Sequence, residues 1–406
     1  MSDPSIRPRS SGMTPFRIAV PDAILSRILD RVTGFRWDAF VEPVDADDWR
    51  HGPPRAFMRA LCARWTGDYD RRARERAMNA VPHFVAAVAG QELHFVLERG
   101  SGASPVPLLL LHGWPYSFHS FTGLVERLAH PERFGGRVED AFTVVVPSLP
   151  GYDFSPSPAL PTGPRRIAGL LDRLMTDTLG LGRYLVHGGD WGSAIAAMLG
   201  LHHADHVSGL HLTMSSVRHH GAPPRTNRVP DDASAEERAF AAREAAIWRD
   251  ESAYARIMQT RPLKLGYAMA DSPVGVAAWI AEAFHAWSDL RDRPFEQVIP
   301  PDALLDEIML YLVTDAANPA SWIYVAEAAE NDQTLAPGQR IDVPTAFAAY
   351  PDPVFPMPPR SVLDRAHRVV RHTAMPRGGH FPFYEHPEPL LAELRGFAAD
   401  LFPAGR

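Results

Sequence analysis

The sequence predicts an α/β architecture: a mostly parallel sheet with helices on both faces, a helical cap inserted into it, and a meandering N-terminal region. Two observations carry that expectation. From about residue 90 onward, short apolar runs of strand length alternate with helical patterns, as crossover connections in a sheet buried on both faces require. After Ser215 the alternation stops, and from about Ala233 to Asn331 the pattern is almost wholly helical, which suits an insertion lying over the strand ends.

In chain order, residues 1–90 carry helical patterns at 22–32, 54–65 and 68–79 and no catalytic motif; they are expected to pack against core and cap. Buried strands are expected at 93–97, 106–111, 142–146, 184–187, 209–212, 345–349 and 369–373. The clearest helix begins at Pro164, where Ile167, Leu170, Leu171, Leu174, Met175 and Leu179 recur on one face. The cap, expected after the sixth strand, reads as helices at 236–256, 272–288 and 302–330 joined by Pro-rich loops. Such a lid would exclude water and shape an apolar pocket. The resulting division is an N-terminal region at 1–90, core at 91–220, cap at 221–332, and core again at 333–406.

Composition narrows the function. The 406 residues suffice for one large catalytic unit. The formal charge of −7 arises from 41 basic and 48 acidic residues without a Lys/Arg block, so nucleic acid is not an expected partner. The single cysteine, Cys62, rules out an intramolecular disulfide and points to a reducing, cytoplasmic setting; it reads as a small buried hydrophobe. Residues 1–13 are polar and rich in Pro and Ser, and no later run approaches the ~18 apolar residues of a membrane span. No membrane anchor is expected, and no repeats are found.

The chemistry is concentrated in Gly188-Gly189-Asp190-Trp191-Gly192-Ser193, which follows an apolar run and precedes a small-residue helical pattern. A strand, a Gly-x-nucleophile-x-Gly turn and a helix make the nucleophile elbow of the α/β-hydrolase fold. Its centre is Asp190 rather than a serine. A carboxylate is already an anion at neutral pH and attacks carbon to give an ester. Displacement at an alkyl carbon, in an epoxide or a haloalkane, is therefore favoured over attack on amides and esters.

Three further segments fit around it. His112-Gly113-Trp114-Pro115 follows the apolar strand at 106–111, where this fold draws one oxyanion-hole amide; the residue after the nucleophile supplies the other. The backbone N–H groups of Trp114 and Trp191 are the candidates. Gly378-Gly379-His380-Phe381 follows the last strand and precedes a helix at 389–397, so His380 is the candidate base for the water that cleaves the ester. The acid that orients it belongs on the loop after 345–349, where Asp352 is the carboxylate available; residues 213–216 hold none. Asp352 is also a natural turn residue between two prolines. A crowd of histidines (His202, His203, His206, His211, His219, His220) has no His-Glu-x-x-His arrangement and no nearby carboxylate beyond Asp205. These are expected to be structural, and neither metal nor cofactor is expected.

With these motifs the chain resembles the epoxide hydrolases of the microsomal and juvenile-hormone type, over nearly its whole length. The resemblance rests on residues 15–21, 65–71 and 79–84, on 112–115, 147–152, 188–193 and 378–382 in the core, and on 271–275 in the cap. It implies that Asp190 opens an epoxide, that Tyr254 and Tyr324 hydrogen-bond and protonate the departing oxygen, and that His380 then directs hydrolysis to a vicinal diol. A phenol with a pKa near about 10 is protonated at neutral pH yet stabilises an alkoxide. The resemblance also implies an apolar small-molecule epoxide as substrate and no cofactor. In relatives the acid falls where this chain has Pro353, one residue after Asp352. The alternatives are a haloalkane-type dehalogenase, a biosynthetic epoxide-opening cyclase or tailoring enzyme, and an inactive binding module. The sequence leaves open the epoxide and its enantiomer, oligomeric state (a homodimer included), and a role in detoxification or in secondary metabolism.

Overall fold

A computed structural model describes residues 12–39, 48–219, 233–331 and 333–402. His220 and the first part of the expected cap, up to residue 232, lie outside the described residues. The strands are β1 (Met13–Phe16), β2 (His83–Val88), β3 (Gln91–Glu98), β4 (Val106–Leu111), β5 (Phe142–Pro147), β6 (Tyr184–Gly188), β7 (Val207–Leu212), β8 (Ile341–Ala349) and β9 (His367–Ala374). They form one sheet in the order β1-β2-β3-β5-β4-β6-β7-β8-β9. The pairs from β5 to β9 are parallel, whereas β1–β2, β2–β3 and β3–β5 are antiparallel.

Parallel strands buried on both faces leave no place for polar alternation: every residue of β5 and β6 is buried. Strand β7 shows how both faces are covered. A Cβ added at Gly209 would lie 2.6 Å from Leu401 and 2.8 Å from Phe397 of the helix Pro387–Leu401. The next residue, Leu210, points the opposite way and meets Gly200 of the helix Asp190–His202, where an added Cβ would stand 2.8 Å from its side chain.

The N-terminal region joins the sheet through β1 and β2, which the apolar pattern does not mark. Strand β1 is a four-residue edge containing Pro15, and β2 mixes buried with exposed positions. Residue 90 falls on the turn of the β2–β3 hairpin. Counted from β2, the helical insertion follows the sixth strand, β1 being an added edge.

Within the insertion the expected helices are subdivided. Ser252 separates Ala235–Glu251 from Ala253–Thr260. Pro262–Asp271 is helical where a Pro-rich loop was expected, its proline tolerated in the first turn. The segment expected as one helix at 302–330 is Pro301–Val313 and Trp322–Glu330, interrupted by Asp315 at φ +53°. The N-terminal region holds this insertion directly. Arg64 makes a bidentate pair with Asp302, at 2.6 and 2.9 Å. Arg74 Nε lies 2.9 Å from the buried Asp306 carboxylate, which also accepts from Tyr69 at 2.7 Å.

Candidate active site

Asp190 opens its helix at φ +47°, a backbone region that non-glycine residues rarely occupy. The turn is held because Gly192 has no Cβ, which would otherwise collide with the Leu111 backbone of β4. Gly113 is bare for a similar reason: a Cβ there would strike the Asp190 side chain. The close approach lets the Trp114 amide donate to Asp190 Oδ1 at 2.9 Å, while the Trp191 amide donates to the same oxygen at 2.7 Å. The Trp114–Pro115 bond is cis. His112 steadies this loop from below, its Nε2 accepting the Leu149 amide at 3.0 Å.

The other oxygen, Asp190 Oδ2, faces His380 Nε2 at 3.4 Å. His380 Nδ1 lies 2.8 Å from Asp352 Oδ2. Asp352 is buried, and its Oδ1 accepts the amides of Val354 at 2.9 Å and Phe355 at 2.8 Å, so the turn that Asp352 caps also aims its free oxygen at the imidazole. The one-residue offset from the expected position thus does not separate carboxylate and histidine. Burial acts to lower the His380 pKa, but the Asp352 and Asp190 carboxylates outweigh it and bring it up to about 9.

Tyr254 and Tyr324 come from different inserted helices, and each packs on the indole of a residue whose amide donates to Asp190 Oδ1. Tyr254 stacks on Trp114 with ring centroids 5.1 Å apart. Tyr324 meets Trp191 edge-on at 4.6 Å. The two tyrosine rings are 6.2 Å apart. Both line one cavity with Asp190, Trp191, Met214 and Phe355. Burial holds the Tyr324 phenol well above its ordinary pKa, and nearby Tyr254 and Asp190 add to the effect. A larger cavity of about 580 Å³ also reaches Tyr254, walled by Leu265, Met269, Trp279 and Trp287.

Sequence reasoning missed the braces of the histidine loop. Glu385 accepts the amides of Asp289, Gly379 and Phe381 at 2.7, 2.8 and 2.8 Å. Asp289 accepts the Gly378 amide at 3.0 Å, and the Trp287 carbonyl accepts that of His380 at 2.9 Å. Burial pushes the Glu385 carboxyl up to about 7 against the lowering effect of those amides. These groups act on backbone in space, and the only trace in the sequence is an acidic residue shortly after His380. The histidine crowd divides. His211 pairs with His187 across β6 and β7, at 3.0 Å between Nδ1 atoms. Burial drives both well below the usual range. His203 and His206 converge elsewhere, on Asp172.

Comparison with known proteins agrees with this geometry. Residues 13–121 match the family described as epoxide hydrolase N terminus, and residues 106–387 match the alpha/beta hydrolase fold. A putative epoxide hydrolase of Stigmatella aurantiaca is 35% identical over 385 residues, covering 95% of this chain and 84% of that protein. Epoxide hydrolase 1 of Sus scrofa is 28% identical, covering 97% of this chain and 91% of its own. The solved structure of Aspergillus niger epoxide hydrolase superposes with a TM-score of 0.81 at 29% identity, covering 97% of this chain and 98% of that one. Juvenile hormone epoxide hydrolase from Bombyx mori shares the fold, with a TM-score of 0.80 at 22% identity and coverage of 98% and 96%.

Proposed function

The chain belongs to the epoxide hydrolases, and from that premise we propose that Asp190 is the nucleophile of a two-step reaction carried by an aspartyl ester. The observation that supports it best is the inequality of the two carboxylate oxygens. Oδ1 is occupied by two amides, at 2.9 and 2.7 Å, and becomes the ester carbonyl. Oδ2 carries the attack on an epoxide carbon. As the carbon–oxygen bond of the ring breaks, Tyr254 or Tyr324 gives its phenolic proton to the alkoxide while the other hydrogen-bonds it.

Ester formation removes the negative charge facing His380 Nε2, so one influence raising its pKa disappears. The imidazole releases its proton, through solvent, to the phenolate left by the first step and, oriented by Asp352, takes one from water. The hydroxide adds to Asp190 Cγ, and the charge that develops on Oδ1 falls on the Trp114 and Trp191 amides, where one such donor is worth about 3–4 kcal/mol. Collapse expels the diol with Oδ2 and leaves the water oxygen in the carboxylate. The imidazolium gives its proton to the departing alkoxide, and the proton left on the new carboxyl passes to His380, so that Asp190 ends ionised and His380 protonated as at the start.

The inserted helices act as a cap in this scheme, with the oxirane in the narrow cavity and the remaining apolar body of the substrate in the larger one. Composition, in its single cysteine, supports a cytoplasmic location, which cell fractionation checks. Among the described residues no helix is long and apolar enough to cross a membrane. The test of the mechanism is intact-mass measurement of a His380→Ala variant across a panel of epoxides. An adduct equal to the substrate mass, absent in the double variant that also carries Asp190→Asn, is expected. No adduct with any epoxide the parent enzyme turns over refutes the covalent route. Halide release from haloalkanes without diol formation from epoxides would favour dehalogenation instead.

A further inference from the structure

We propose that Asp172, His203 and His206 form a binding site for a divalent transition-metal ion, zinc or one of similar chemistry, at the end of the sheet away from Asp190. Asp172 lies on the helix Pro164–Arg173. His203 caps the helix that Asp190 opens, and His206 directly precedes β7. Tyr184, which touches the same carboxylate, is the first residue of β6, whereas the catalytic elbow follows its last. Sequence spacing hides this convergence because the carboxylate comes from a different element than the histidines.

The donors are arranged for a shared ion. Asp172 is only 5% exposed. Its Oδ1 lies 2.8 Å from His206 Nδ1 and its Oδ2 lies 3.1 Å from His203 Nδ1. One donor atom from each of the three residues falls within a sphere of contacts no wider than 4.8 Å. A tetrahedral zinc with ligands at about 2.0–2.1 Å sets neighbouring donors roughly 3.3 Å apart; the two Asp172–histidine separations lie within about half an ångström of that spacing, and the three donors, within 4.8 Å of one another, need draw together by no more than about 1.5 Å. Two imidazoles and a carboxylate are a donor set that suits zinc, nickel or copper rather than magnesium or calcium.

Electrostatics favours the same occupant. Among the described residues, Asp172 has no Lys or Arg at ion-pair distance; its ionic partners are the two histidines. A buried carboxylate so placed carries a desolvation cost that a dication offsets. Tyr184 donates to Asp172 Oδ1 at 2.8 Å, the outer hydrogen bond that orients a ligating carboxylate. Both imidazoles are partly exposed, at 26% and 43% of the side chain, which leaves an entry path and room for water. The ion would pin the turn between the elbow helix and β7 and take no part in the reaction.

The test uses tag-free protein stripped with EDTA and then titrated with Zn²⁺ by calorimetry and with Co²⁺ by visible absorption. One saturable ion per chain is expected, with cobalt bands showing nitrogen ligation and with a zinc-dependent rise in Tm. All three signals should be lost, or the affinity weakened at least tenfold, in His203→Ala/His206→Ala. Epoxide turnover should match the parent in the stripped and in the variant protein, which also shows that the variant is folded. The milder His206→Gln variant repeats the comparison should the double variant fail to fold. Absence of saturable binding, or binding undiminished by these substitutions and therefore owed to other surface histidines, overturns the proposal.

Discussion

His380 is a buried imidazole between two carboxylates, and its protonation state couples stability to catalysis. Its pKa of about 9 in the folded enzyme stands above the ordinary 6.5. A raised folded value means that the stabilisation is fully present below about 6.5 and is lost as pH rises through about 9. Urea unfolding followed across that window should show stability falling in the parent enzyme and a smaller slope in His380→Asn. Equal slopes would show that His380 carries no such shift. In the proposed scheme Asp352 bears on the second half-reaction alone. In Asp352→Asn the amide cannot fix the imidazole as an ionised acceptor does, so ester hydrolysis should slow by roughly 10²–10⁴-fold while alkylation persists. Rapid-quench mass measurement should then find the Asp190 ester accumulating. A parallel loss in both steps would remove Asp352 from this role.

At the scale of elements, the break at Ser252 decides where Tyr254 points, because it starts a new helix whose first turn carries that phenol against Trp114. Tyr324 sits in the first turn of Trp322–Glu330, after the interruption at Asp315. Each Tyr→Phe change should slow alkylation by about 10²-fold and leave hydrolysis of preformed ester unchanged, as single-turnover kinetics would report. A defect confined to hydrolysis would contradict proton donation. The helix Pro301–Val313 is anchored by Arg74 on the wholly buried Asp306. Arg74→Ala leaves that carboxylate, among the described residues, with the polar partners Tyr69 and His119. A loss of about 3 kcal/mol is expected in urea unfolding; no change would mean that the pair contributes only orientation.

Across the whole molecule, legibility follows burial. Strands β4 to β7 announce themselves because parallel strands covered on both faces are written as largely continuous apolar runs, whereas the edge strand β9 alternates buried with more exposed residues. Strands β1 and β2 do not, since they pair antiparallel at one edge and keep exposed positions. The elbow is legible because its glycines answer a local steric demand, whereas Glu385 and Asp289 serve amides brought near only by folding. The reach from Asp352 to His380 and the meeting of Asp172 with two histidines are tertiary facts of the same kind. What would unite these parts is the proposed covalent attack by Asp190 Oδ2, and a single turnover in ¹⁸O-labelled water, with enzyme in excess over epoxide, tests it most directly. The account predicts one labelled oxygen in the peptide containing Asp190 and an unlabelled first-turnover diol. Label in that diol with none in the peptide would mean that water attacks the epoxide directly, and the aspartyl ester would have no place in the reaction.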